Sequence, residues 1–364
     1  MVDSMMRWLA GFSLRLGGIC LALSLTAVTA ASISPSGLLI TFESEVTGTI
    51  HDPCNCASDI FLMDTARQIA INVSHHPAHD TSAAWSPDGT HLAFYSTREE
   101  GIRSLYLMTL DGQIRRAAPE AVRYGHAPTW SPDGTRIAYE VDAGAQIDLY
   151  ILDIRQPLTS GVNPWVLANA PEDDRFPAWS PDGTALAFVS WRDGSADIFR
   201  ARTDGSDARN LTHDPAWDTS PSWSPDGREI AYFSVRSLYR NLYLMNADGS
   251  SVRQMTDSQE IVAGIFWHTP AWSPDGTHLA IQTAIGRDPE ITIVARDGSP
   301  PVQIRRAGTS DVLPAWLADG ERIAFMSDPG GQYRIYFMDW RIGDIHLLSP
   351  AGLPASYPAM LIRR

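Results

Sequence analysis

Trp179-Ser180-Pro181-Asp182-Gly183 is one of five intact copies of a pentapeptide whose other copies open at Trp85, Trp130, Trp223 and Trp272. A sixth copy has decayed to Trp316-Leu317-Ala318-Asp319-Gly320. The tryptophans stand 45, 49, 44, 49 and 44 residues apart. A period in the forties built on strands and tight turns is the signature of a β-propeller, whose single units cannot bury their apolar faces alone. Around Trp179 the unit reads as four short strands: Pro177 to Trp179, Ala185 to Ser190, Asp197 to Ala201 and Arg209 to Thr212. Ser-Pro-Asp-Gly and Asp204-Gly205 supply turns between them, as an antiparallel meander requires. Pro presets φ for the second position of a type I turn, Asp tolerates the third, and Gly takes a positive φ to close the hairpin. Such a turn recurs for its backbone chemistry and marks folding, not a site. The tryptophan beside it is expected to fill space between blades, burying on the order of 200 Å².

Outward from that unit, second strands number seven, from Leu39–Glu43 to Ile323–Ser327, and third strands also number seven. First strands number six until Tyr357-Pro358-Ala359-Met360-Leu361 is set against Phe176-Pro177-Ala178-Trp179-Ser180, with Met360 in the tryptophan slot. The chain starts one strand late and ends one strand over. We therefore expect an all-β, seven-bladed propeller of four-stranded antiparallel blades over 38–364. Its C-terminal strand would join the first blade and remove both open edges. A six-bladed ring with an extra unit is the alternative.

Arg7, the apolar run from Leu16 to Ala27 and the small residues Val28-Thr29-Ala30 read as a secretory signal peptide over 1–30, followed by a linker over 31–37. An uncleaved anchor is the competing reading, because Trp8 to Ala31 is long enough to span a bilayer. The expected location is periplasmic or secreted, with membrane attachment only through that segment. A net charge of −14 argues against nucleic acid. All 28 cationic residues are arginine, which removes lysine nucleophiles and Schiff-base chemistry. Cys54-Asn55-Cys56 is too tight for an ordinary bridge, leaving a strained local disulfide or free thiols. Two sulfurs fill only half of a tetrahedral zinc site.

The run Pro-Ala-Trp-Ser-Pro-Asp-Gly, then Leu-Ala-Phe-x-Ser, then Leu-Tyr-Leu-Met-x-x-Asp-Gly resembles the WD40-like (PD40-type) repeats of TolB-type propellers, from about residue 38 to 361. Members of that family carry a six-bladed propeller behind an N-terminal α/β domain and act in the bacterial periplasm as interaction platforms. The resemblance therefore implies an exported binding module. Two departures stand out: seven blades are counted here, and no room is expected for the α/β domain. The repeats also resemble the propellers of prolyl oligopeptidase-type hydrolases. Those need a Gly-x-Ser-x-Gly elbow, which is absent from this sequence.

In a propeller, the loops entering first strands and those joining second to third strands share one face. On that face Trp191, Trp217, Phe266 and Trp267 break the repeat in blades four to six, and Arg175, Arg192 and Tyr239 map near them. Aromatics with arginine are the residue types of recognition hot spots. We expect a protein or peptide partner there, a glycan being the alternative use of the same rings, and packing as satellite core the reading without function. A monomer with no cofactor is expected. Histidines gather on the same face, and His126 and His268 share a slot four before the tryptophan, three blades apart. Facing each other across the channel, they are the candidate ligands for a divalent cation in a rival reading: a metal-dependent enzyme of the propeller lyase type, acting on a saccharide. Asp80, Asp174, Asp218 and Asp311, five before the tryptophan, recur with the repeat and point to loop-bracing hydrogen bonds.

Overall fold

A computed structural model describes residues 39–361 apart from 47–56, 66–68, 119, 123–125, 157–163, 169, 237–238, 258–267, 285–287 and 350–355. The leader, Cys54, Cys56, Phe266 and Trp267 lie outside the described residues. Among the described residues no helix is long and apolar enough to cross a membrane.

Seven four-stranded antiparallel sheets form the ring, each contributed by consecutive strands except the first. Blade one orders Ser356–Leu361, Leu39–Val46, Ala57–Asp64 and Ile69–Asn72, so the C-terminal strand closes it. In that seam Leu39 stands opposite Leu361, Ile40 opposite Met360 and Thr41 opposite Ala359. Seven blades and this closure are as the repeat count implies. Blade four, the reference unit, runs Asp174–Trp179, Ala185–Ser190, Asp197–Arg202 and Arg209–Asn210. Blade five runs Trp217–Trp223, Glu229–Arg236, Tyr239–Asn246 and Arg253–Gln254.

The core lies between blades. Ala138, Leu149 and Ile151 of blade three pack on Leu186, Phe188 and Phe199 of blade four, all buried. Ala231, Phe233, Leu242 and Leu244 of blade five meet Leu279, Ile281 and Val294 of blade six in the same way. Both faces of each sheet are thus covered, which is why the second and third strands read as near-continuous apolar runs.

Each motif turn is built alike. In blade four, Gly183 N–H donates to the Ser180 carbonyl at 2.9 Å and Gly183 has φ 69°. Ser180 Oγ donates to Asp182 at 2.6 Å and accepts the Ala185 amide at 3.0 Å, so one hydroxyl ties the turn at both ends. In the decayed copy Leu317 has no hydroxyl, and Asp319 itself accepts the Arg322 amide at 2.9 Å. The turns of neighbouring blades touch: a Cβ placed on Gly227 would lie 3.1 Å from Pro181.

The motif tryptophans link blade to blade. Trp130, Trp179, Trp223, Trp272 and Trp316 donate their indole N–H to the carbonyls of Ala84, Thr129, Ala178, Ser222 and Ala271, at 2.9 to 3.2 Å. Each acceptor immediately precedes the motif tryptophan of the blade before. Trp85, next to the closing seam, has a buried indole N–H with no acceptor among the described residues.

Candidate functional site

First strands of successive blades approach one another and line the central channel. Four of them carry a bulge three residues before the motif tryptophan, where Ser82, Phe176, Ser220 and Leu313 adopt φ between 56° and 59°. A bulge frees an amide from the ladder, and a buried free amide needs an acceptor. For two of them the preceding blade supplies one. Glu43 Oε1 accepts the Ser82 amide at 2.5 Å, and Glu140 Oε1 accepts the Phe176 amide at 3.0 Å. Both carboxylates stand near the end of a second strand, at the position filled by Tyr95, Val189, Phe233, Gln282 and Met326 in the other blades. Burial pushes Glu43 up to about 7, opposed by the Ser82 amide and the Arg103 charge.

His126 sits at this channel mouth, its Nδ1 3.6 Å from Glu140 Oε1 and its ring 3.9 Å from Phe176. His268 is near enough to sense it. Burial first, then the Arg240 charge and His126, hold His268 down to about 4, so it is neutral at physiological pH. A cation beside the pair works against a second one. Among the described residues no three His, Cys, Asp or Glu side chains gather as metal ligands.

Three of the four buried aspartates, Asp80, Asp174 and Asp311, brace loops through arginine. Asp80 is paired with Arg98 at 3.0 Å and Asp174 with Arg192 at 3.0 Å. Asp311 is paired with Arg306. Arg98 and Arg192 also donate through Nε to Ser96 and Ser190, two residues before them. The guanidinium of Arg192 lies 4.7 Å over the Phe199 ring and that of Arg98 5.1 Å over Tyr106. Arg192 is therefore committed inward.

The other candidates assemble beside it. The loop from Trp191 to Ser195 and the loop entering blade five stand side by side around a cleft of ≈ 670 Å³. At its base Asp197 is buried and accepts hydrogen bonds from Asn210 at 2.9 Å and Thr212 at 3.2 Å. Asn210 also reaches Asp193 on the rim at 2.8 Å. Asp214 accepts the Ala216 amide at 2.8 Å and an Arg236 guanidinium nitrogen at 2.6 Å. Trp217 closes the cleft and is 41% exposed, the one aromatic among the exposed large hydrophobics of the described residues.

Trp191 is half-buried against the cluster shared by blades four and five, with the Arg175 guanidinium 6.0 Å from its ring centroid. Arg175 is itself paired with Asp173 at 2.6 Å. Tyr239 begins the third strand of blade five opposite Arg236. Arg175, Trp191, Trp217 and Tyr239 are thus brought to one side of two adjacent blades. The sequence reading missed Asp193, Asp197, Asn210 and Asp214, which give the cleft its charge. It also missed Glu43 and Glu140, which a blade-by-blade alignment exposes as the charged residues of an otherwise uncharged slot.

Residues 103–267 match the family model of the TolB β-propeller domain, PD40. No curated protein sequence matches the chain at a significant level. Among solved structures, TolB from Acinetobacter baumannii is similar at 22% identity and a TM-score of 0.54, over 74% of this chain and 63% of that one. A puromycin-hydrolyzing peptidase from Mycobacterium tuberculosis is similar at 18% identity and a TM-score of 0.65, over 91% of this chain and 56% of that one. Oligogalacturonate lyase from Vibrio parahaemolyticus shows 15% identity and a TM-score of 0.58, over 87% of both chains. The chain thus spans less than two thirds of the TolB and peptidase chains. At these identities the likeness is one of fold, shared by enzymes and TolB alike.

Proposed function

We propose that this TolB-like propeller is an exported, non-enzymatic interaction module that holds a protein or peptide partner on the loop face of blades four and five. The observation that carries the reading is Trp217. A large aromatic left open in a cleft costs solvation and offers an anchor that a partner covers. The other repeat-breaking aromatic of the pair, Trp191, is packed down on the core between blades four and five. The TolB-type repeat supports an envelope setting, in the periplasm or outside the cell. Selection of a peptide library of mixed charge on the wild-type protein and on Trp217→Ala tests this. Trp217 is exposed, so the variant should melt within about 1 kcal/mol of wild type. Peptides that bind wild type should lose at least tenfold in affinity on the variant. A library yielding no Trp217-dependent binder sinks the reading.

A further inference from the structure

The arginine clasp on the buried aspartate is broken in one blade. Asp218 is the blade-five counterpart of Asp80, Asp174 and Asp311, and like them it is fully buried. Its arginine by position is Arg236, two residues after Ser234 as Arg98 follows Ser96 and Arg192 follows Ser190. Arg236 keeps the Nε bond to its serine, at 3.1 Å. Its terminal nitrogen, however, goes outward to Asp214 in the cleft, 2.6 Å away. Among the described residues neither carboxylate oxygen of Asp218 then accepts a hydrogen bond. Burial pushes Asp218 up to about 6 with help from the Asp214 charge; the Ser234 and Thr212 hydroxyls beside it, short of hydrogen-bond geometry, and Arg236 offset this only in part. Asp214 has no counterpart in the other clasped blades, where His76, Ala170 and Ala307 hold its position. Among the described residues, blade five alone carries both the diverting carboxylate and the open tryptophan.

We propose that the cleft takes a cationic side chain of the partner, an arginine or lysine of a basic peptide, between Trp217 and the carboxylates of Asp193 and Asp214, and that this cation frees Arg236 to clasp Asp218. The inference rests on reading the cleft as the partner site and adds the partner's charge. Three aspartates line the space; Asp197 is buried at its base, whereas Asp193 and Asp214 stand at the rim with solvent-facing oxygens open to an incoming cation. No three ligands gather there for a metal ion among the described residues, whereas an organic cation needs only a ring face and a carboxylate. Arg236 itself shows that a guanidinium fits against Asp214. Replacing it from outside returns it to the geometry that Arg98 and Arg192 adopt in blades two and four, and gives the buried Asp218 carboxylate a direct cationic partner.

The test is titration calorimetry of the full propeller with a tetra-arginine peptide, and with tetra-glutamate as control, at pH 6 in two buffers of different ionisation enthalpy. Tetra-arginine should bind, and Trp217→Ala and Asp193→Asn should each weaken it at least tenfold. Arg236 transfer should release a proton from Asp218 on binding. Asp214, Arg236, Tyr232 and Tyr243 are the charged or titratable groups that act on it, and His213 also lines the cleft. Asp218→Asn removes the part of the proton release that comes from Asp218. Equal proton release by wild type and Asp218→Asn overturns the transfer. Tetra-arginine binding no tighter than tetra-glutamate, or binding indifferent to Trp217→Ala, overturns the cation site. If the mixed library gives Trp217-dependent peptides without basic residues, this inference falls and the binding-module reading stands. If nothing depends on Trp217, both fall.

Discussion

Glu43 shows how a single residue can serve the bulge and tax the fold. Its carboxyl holds the Ser82 amide, yet burial lifts it from an ordinary value of 4.5 to about 7. Below pH 4.5 both folded and unfolded chains keep the proton. Between 4.5 and 7 the unfolded chain ionises first, so stability falls as pH rises through that window and levels off above it. The gap corresponds to about 3 kcal/mol. Glu43→Gln keeps an acceptor for Ser82 and cannot ionise. Denaturant unfolding should show the variant near wild type at pH 5 and more stable by about 2–3 kcal/mol at pH 8. An equal difference at both pH values would mean that the carboxyl is ionised throughout. At this scale the sequence was legible where a residue breaks the repeat. Trp217 stands out because its slot holds His79 in blade two and Asp173 in blade four. Asp193 and Asp214 did not, since acidic residues in solvated loops are ordinary. Arg192 looked available because the Asp174 that claims it lies eighteen residues away.

Between elements, the indole ladder sets how one blade holds the next. Trp179→Phe keeps most of the ring but leaves the Thr129 carbonyl without its donor, so it should cost the lost packing plus about 1–2 kcal/mol for the unmet bond. Trp85→Phe loses ring packing but no bond, because the half-buried Trp85 indole has no N–H acceptor among the described residues. Urea unfolding of the two variants should therefore place Trp179→Phe lower by about 1 kcal/mol or more. Equal losses would show that the ladder contributes nothing beyond volume. The turns of these elements could be read directly, because Ser, Pro, Asp and Gly each meet a stated backbone need. The bulges could not. Ser82, Phe176, Ser220 and Leu313 take a left-handed φ that no glycine or asparagine announces. What holds Phe176 there is Glu140, thirty-six residues away, and such long-range support leaves no local signature. For the same reason the first strand of blade four was read as three residues, whereas Asp174–Trp179 runs on both sides of its bulge.

For the whole molecule, stability depends on closure, because an open array of blades would leave one sheet edge unpaired at each end. The indole bond is interrupted on both sides of blade one: Met360 takes the tryptophan slot facing blade seven, and the Trp85 indole of blade two has no acceptor among the described residues. The seam is held instead by the ladder between Leu39–Val46 and Ser356–Leu361, which also brings the C-terminal strand against the first strands of blades two and seven. A chain ending before Ser356 keeps every inter-blade cluster from blade two to blade seven but exposes Leu39–Val46 as a free edge. It should melt in two steps, the lower one reporting the blades beside the gap, and should self-associate in a concentration-dependent way on size-exclusion chromatography. Adding the synthetic segment Ser356–Leu361 as a separate peptide should restore a single, higher transition, since the vacant edge is a template for strand addition. A truncated chain that melts once, at the wild-type temperature and as a monomer, would show that the ring is held by its faces and that the closing strand is dispensable. The seven-fold count itself was legible because the repeat leaves an arithmetic trace: seven second strands, six leading ones, and a leftover strand at the other end of the chain.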